Sequence, residues 1–229
     1  MIFDDPTTRS YARLTGGFYL AIAVVGAFAI GYVPSQIIVG GDAAATLGNV
    51  IARRGLFNAG IGADVLVLLL EVMTTTMLYQ MFRRVNETLA FAAVIARFGM
   101  VTVMGAMLLL QGGLVSLAAN GGDPALASVL LDAHHSGVWI WQAFFTLHLW
   151  LLGTLVLRSG LFPRLLGWGL IVGGTGYLAD SLYAFAFPDM DALGYLRIGL
   201  LVIITLSEVG FALWLVIRGS KSVQGGERE

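Results

Sequence analysis

The chain has 229 residues, 58% of them hydrophobic and 12% charged, with a mean hydropathy of +0.84 and a formal net charge of −1. Water-soluble domains are about 45–50% apolar, so this composition describes a membrane protein. Its scattered basic residues form no face or stripe and exclude nucleic acid as a partner. The absence of cysteine excludes disulfides, thiolate metal sites, iron–sulfur ligation and cysteine nucleophiles.

The opening MIFDDPTTRSYARLTGG is polar, and no small-residue cleavage pattern follows the first hydrophobic run, so that run is expected to be retained. Stretches of about 20 apolar residues mark helices able to cross roughly 30 Å of hydrocarbon. They predict an all-α, six-helix polytopic bundle in one domain, with spans over 14–33, 56–80, 88–119, 134–157, 165–187 and 195–217. Residues 34–55 read as an outer loop with an interfacial helix, capped by Asp42 and closed by Arg53 and Arg54. Residues 218–229 read as a cytoplasmic tail. Cytoplasmic loops carry the excess of Lys and Arg. With the N-terminus inside, Arg9, Arg13, Arg83, Arg84, Arg158, Arg164, Arg218, Lys221 and Arg228 all fall on the cytoplasmic side, and only Arg53 and Arg54 disagree. Both termini are therefore expected in the cytoplasm. Gly169, Gly173, Gly176 and Asp180 share one face of the fifth span, which is expected to meet a neighbouring helix closely.

Asp64 and Glu71 lie within the second span, where an ionisable residue costs at least about 2.5–3.5 kcal/mol unless it is turned inward and partnered. Positions seven or eleven apart on a helix return to nearly the same face. By that test Asp64 pairs with Glu71, Arg97 with Gln111, His134 with His148, and Arg197 with Glu208. Counted from the cytoplasmic ends at about 1.5 Å per residue, Glu71, Arg97, His148 and Glu208 each lie roughly 14 Å in and form an inner layer. Asp64, Gln111, His134, Asp180 and Arg197 form a second, outer layer. Glu71 and Glu208 are expected to be offset by Arg97 and a protonated His148, and Asp64 or Asp180 by Arg197.

Residues 56–99, LFNAGIGADVLVLLLEVMTTTMLYQMFRRVNETLAFAAVIARFG, resemble the central signature of an uncharacterised bacterial membrane family, domain of unknown function 4386. The resemblance rests on Asp64, Glu71, Leu78, Tyr79, Val85, Asn86, Leu89 and Arg97. A second block, FFTLHLWLLGTLVLRSGLFPRLLGWGLIVGGTGYLADS, is similar to that family's later signature through His148, Gly153, Ser159, Gly160, Pro163, Arg164, Gly167, Gly176, Tyr177, Leu178, Asp180 and Ser181. Arg83 and Arg84 depart from the Lys-Pro often found at that turn. The resemblance covers nearly the whole chain and implies a bacterial inner-membrane protein; it implies no reaction.

Several chemistries are excluded by residue content. The single lysine is Lys221 in the tail, so a retinal Schiff base is unavailable; all three histidines fall on one predicted helix, which excludes haem held between two helices. Ser181 and His148 sit toward opposite leaflets, away from a Ser–His pairing. Arg97 opposes a metal at Glu71, His148 and Glu208, and no cofactor is expected. Three readings remain. The first is a binding protein or acid–base enzyme, of isomerase or cyclase type, for a lipophilic small molecule entering from the membrane lipids. Glu71, His148, Glu208 and Arg97 are its catalytic set, and Trp141, Phe145 and Tyr177 line the pocket. The second is a proton- or ion-coupled transporter. The third is an accessory subunit whose charges only fix the helix arrangement. A cavity open sideways, a path through the bundle, or tight packing would distinguish them.

Overall fold

The computed structural model describes residues 5–219; of the expected tail, residues 220–229 with Lys221 and Arg228 lie outside them. Among the described residues there are eight α-helices and no strand. Helix α1 (Arg9–Gly26) passes through a π-helical turn (Ala27–Tyr32) into α2 (Val33–Ile37), making one continuous rod. Pro34 lies inside that rod, where it removes an N–H and crowds the preceding turn, and the wider π turn just before it relieves the clash. Then follow α3 (Ala43–Ala52), α4 (Arg54–Phe82), α5 (Glu87–Ala119), α6 (Pro124–Ser159), α7 (Arg164–Phe185) and α8 (Asp191–Ile217). Five stretches are long and apolar enough to cross a membrane: Arg9–Ile37, Arg54–Phe82, Glu87–Ala119, Pro124–Ser159 and Asp191–Ile217. Helix α7, with five glycines in 22 residues, is not among them.

Helix ends follow from local capping. Thr8, Asp42, Asn86 and Asp123 each accept a backbone N–H in the first turn of α1, α3, α5 and α6, and Gly160 closes α6 in the left-handed region at φ 66°. Helix α6 starts ten residues before the apolar span expected from 134, because Asp123 caps it and Pro124 occupies its first turn. Its added turns bury Ala127 against Val33, Leu47, Val50, Phe57 and Leu114. Helix α3 buries one face in the same cluster through Thr46, Leu47 and Val50, while Ala44, Gly48 and Ile51 on its other face are exposed. Arg53 follows it and donates from Nη1 to the Gln36 carbonyl at 2.8 Å.

The long helices alternate in direction. Arg9 meets Gly219, so both described termini share one end, here called proximal. Neighbours in sequence pack together from α4 through α8, and α1 closes the set by packing on both α8 and α4. The outward faces carry exposed Leu69, Ile95, Leu109, Ile198 and Leu206, a surface suited to lipid. The glycine face of α7 meets α8 at backbone distance: a Cβ on Gly173 would lie 2.5 Å from the Ile204 nitrogen, and one on Gly176 2.8 Å from the Leu200 Cβ. Glycine is required there by the approach itself.

Gly173→Leu therefore has to separate α7 from α8 and is expected to destabilise the bundle by about 1–3 kcal/mol or more. Gly199→Ala, where a Cβ meets nothing within 4 Å, should stay within about 0.5 kcal/mol. Thermal unfolding of the detergent-solubilised protein followed by circular dichroism checks both; equal losses would contradict this account of the seam.

Candidate functional site

The structure divides the expected inner layer into two parts. The first joins α4, α5 and α6. Arg97, fully buried on α5, donates from Nε to Glu71 Oε2 on α4 at 2.6 Å, and its Nη1 lies 3.0 Å from His148 Nε2 on α6. His148 Nδ1 lies 2.9 Å from the Ala93 carbonyl. A guanidinium only donates and a carbonyl only accepts, so Nε2 accepts and Nδ1–H donates. His148 is thus the neutral Nδ1–H tautomer, which corrects the expectation that a protonated His148 helps to offset the two glutamates. The Arg97 guanidinium carbon also lies 4.9 Å from the Tyr19 ring centroid and 5.5 Å from that of Phe145. Phe145 in turn stacks on His148 at 5.6 Å, nearly parallel.

The second part is Glu208 on α8. It forms no salt bridge among the described residues; Tyr19 Oη donates to Oε1 at 2.7 Å and Tyr177 Oη to Oε2 at 3.3 Å. Both carboxylate oxygens are thereby satisfied by hydroxyl groups from α1 and α7. Tyr19 links the two parts, since its ring covers Arg97 while its hydroxyl holds Glu208. Sequence reasoning missed it, because a tyrosine within the apolar run FYLAIAV shows no polar periodicity.

Both parts border one cavity of about 250 Å³, lined by Glu71, Arg97 and Glu208 and by Trp141, Phe145 and Tyr177. The three aromatic rings pack on one another at 5.5–6.2 Å between centroids. Val67 of α4 and Met100 and Met104 of α5 add to the inner wall, and on α1, the π turn that continues it and α8 the lining residues Ala23, Ala27, Ile30, Thr205 and Val209 are exposed on the bundle surface. The cavity therefore opens sideways between α1 and α8. Proximal to that mouth Gly16 brings α1 onto Ala212 and Leu215 and closes the gap. Met77, Leu78, Leu149 and Leu152, all nearly inaccessible, fill the core of the bundle. His148 does not line this cavity and stands behind Arg97.

The expected outer layer also divides. Gln111 Nε2 donates to Asp64 Oδ2 at 2.9 Å and lies 3.3 Å from His134 Nε2, tying α5 to α4 and α6. These three border a second cavity of about 140 Å³, which shares Ile30, Met104 and Trp141 with the first. Asp180 and Arg197 instead form their own ion pair between α7 and α8, with Arg197 stacked 4.0 Å over the Tyr183 ring. Arg197 is the partner of Asp180 and not of Asp64, because α8 packs against α7 and α1 and not against α4. Ser181 Oγ lies 2.8 Å from the Trp139 carbonyl and 2.9 Å from that of Tyr177, to one of which its single O–H donates, and it is apart from His148.

Fold and site together define an all-helical bundle with buried charges and a lateral cavity. The family described as Domain of unknown function (DUF4386) matches residues 14–219, and the chain belongs to that family. A protein of Archaeoglobus fulgidus described as uncharacterized is 38% identical over 91 residues, covering 40% of this chain. The match covers 51% of that protein, so the chain spans about half the length of the curated relative it matches. No solved structure matches.

Removing one partner of a buried ion pair leaves the other charge unpaired, at a cost of about 3–5 kcal/mol. Arg97→Gln should lose that much, and the double variant Glu71→Gln with Arg97→Gln should recover part of it. A thermodynamic cycle by reversible unfolding should yield a coupling of about 1–3 kcal/mol; strict additivity would contradict the pairing. His148→Gln can still donate to Ala93 and accept from Arg97, so it should be better tolerated than His148→Leu in the same assay.

Proposed function

We propose that this protein binds, and by acid–base chemistry transforms, a lipophilic small molecule that enters the bundle sideways from the lipid. The single observation that carries this reading is the lateral mouth between α1 and α8, opening onto a mainly apolar cavity in which Glu208 is held by two tyrosine hydroxyls. Ligand sites are typically concave and mainly apolar with a few convergent polar groups, and intramembrane ionisable residues mark functional sites by default. In this reading Glu208 is the proton-transferring residue, whose carboxylate sits at the mouth wall within reach of a bound molecule. Arg97 and Glu71 supply fixed charge on the opposite wall. His148 is a positioning residue that acts through Arg97, because its two ring nitrogens are both occupied. The closed packing on the proximal side argues against a transport path between the two ends.

The membrane arrangement belongs to the same proposal. With α7 counted as a sixth span, its 22 residues reach about 33 Å, enough to cross a bilayer. Helix α7 packs between α6 and α8. Arg9, Arg13, Arg83, Arg84, Arg158, Arg164 and Arg218 fall toward the proximal end, and Asp42, Asp123, Asp189 and Asp191 toward the distal one, where Arg53 and Arg54 are the exceptions. The proximal end is then cytoplasmic, in a bacterial inner membrane.

Native mass spectrometry of the chain extracted in mild detergent is expected to show a co-purifying lipophilic species. Thr205→Trp, which fills the mouth from an exposed position, should release it with the fold intact. Proteoliposomes should carry no proton flux under a pH gradient. Flux abolished by Glu208→Gln would instead favour a transporter.

A further inference from the structure

The cavity walls do not balance in charge. Arg97 is the one cation on the wall, and it is matched by Glu71 and held from behind by His148, which the bonding pattern makes neutral. Glu208 has no cation of its own: its two oxygens accept only from Tyr19 and Tyr177. Each oxygen meets one hydroxyl and keeps a further lone pair for a ligand, so a bound cation would supply the counter-charge that the protein does not. Asp64, in the adjoining cavity, likewise forms no salt bridge among the described residues and accepts from the neutral amide of Gln111. Two acids on the walls of these adjoining cavities, Glu208 and Asp64, thus have no cationic partner among the described residues, and the one cation, Arg97, is already paired with Glu71.

The rings add a second, independent preference. Tyr19, Trp141, Phe145 and Tyr177 border the same cavity as Glu208, and the last three form one continuous aromatic wall. Aromatic faces attract cations, most strongly where water is excluded. An acid beside an aromatic wall, reached from lipid, fits a positively charged head on an apolar body.

We propose that the lateral site takes a cationic amphiphile, an amine or quaternary ammonium group carried on a hydrocarbon body, with its head between Glu208 and the aromatic wall and its tail toward the mouth between α1 and α8. This deepens the reading given above and rests on it. Arg97 is not a rival anchor for an acidic ligand, because its guanidinium is already engaged by Glu71 and His148 and covered by the Tyr19 and Phe145 rings.

The test is calorimetric binding to the full chain in zwitterionic nanodiscs, with empty nanodiscs subtracting partition into lipid. The probes are octyltrimethylammonium, octanol and octanoate below their micellar concentrations. The cation is expected to bind about tenfold or more tightly than octanol, with octanoate weakest, and Glu208→Gln should reduce the cation to the level of octanol. The charge comparison uses the unmodified chain, so it stands even if that variant does not fold. Equal binding of cation and octanol, both lost in Thr205→Trp, would overturn the charge preference and leave the lipophilic site standing. Preferential binding of octanoate would overturn it in favour of Arg97 as the anchor. Binding of no probe above empty nanodiscs would overturn both readings.

Discussion

The structure depends on a single fully buried guanidinium. Arg97 is fully buried, so its donors must be met inside the bundle, and the cost of leaving them unmet exceeds most of the individual packing terms around it. Glu71 meets the charge, His148 accepts a second bond, and two aromatic rings cover the group. Those partners come from α4, α6 and α1. One residue thus sets the rotation and depth of four helices against one another. Apolar contacts alone do so weakly where lipid is as apolar as the interior.

That constraint separates what is structural from what is available for chemistry. His148 is spent on orienting Arg97. Glu71 faces the cavity but is neutralised. Glu208 accepts only from tyrosine hydroxyls, is the acid of the inner layer without a salt-bridge partner among the described residues, and lies beside the opening. The same division follows from helix geometry. Gly16 holds α1 tightly to α8 near the proximal end, and the π turn at Ala27–Tyr32 carries the rest of the rod to Pro34 and α2, which pack toward α4. A gap between α1 and α8 is the result.

The residues of the triad were legible in the sequence because depth in alternating helices can be counted, and Glu71, Arg97 and His148 lie at matching depth. What counting cannot give is which helices are neighbours around the bundle. Glu208 shares that depth yet stands apart from the triad, since α8 packs on α7 and α1. Asp64 and Asp180 divide for the same reason, one going to Gln111 and the other to Arg197. Tyr19 carried no signal at all, because a hydroxyl at the end of an aromatic side chain leaves the apolar pattern unbroken. The early start of α6 was hidden because PALASVLLDAHH mixes polar and apolar residues too evenly to read as a span, and its burial depends on the buried face of α3.

Whether the cavity communicates with lipid or with water is directly measurable, because the chain contains no cysteine. Thr205→Cys at the mouth and Met104→Cys inside can each carry a single nitroxide label in the reconstituted protein. Electron paramagnetic resonance accessibility should show both labels relaxed by oxygen, which concentrates in lipid, and neither by a water-soluble nickel complex. Strong relaxation of the Met104 label by the nickel complex would make the cavity an aqueous vestibule and contradict the account.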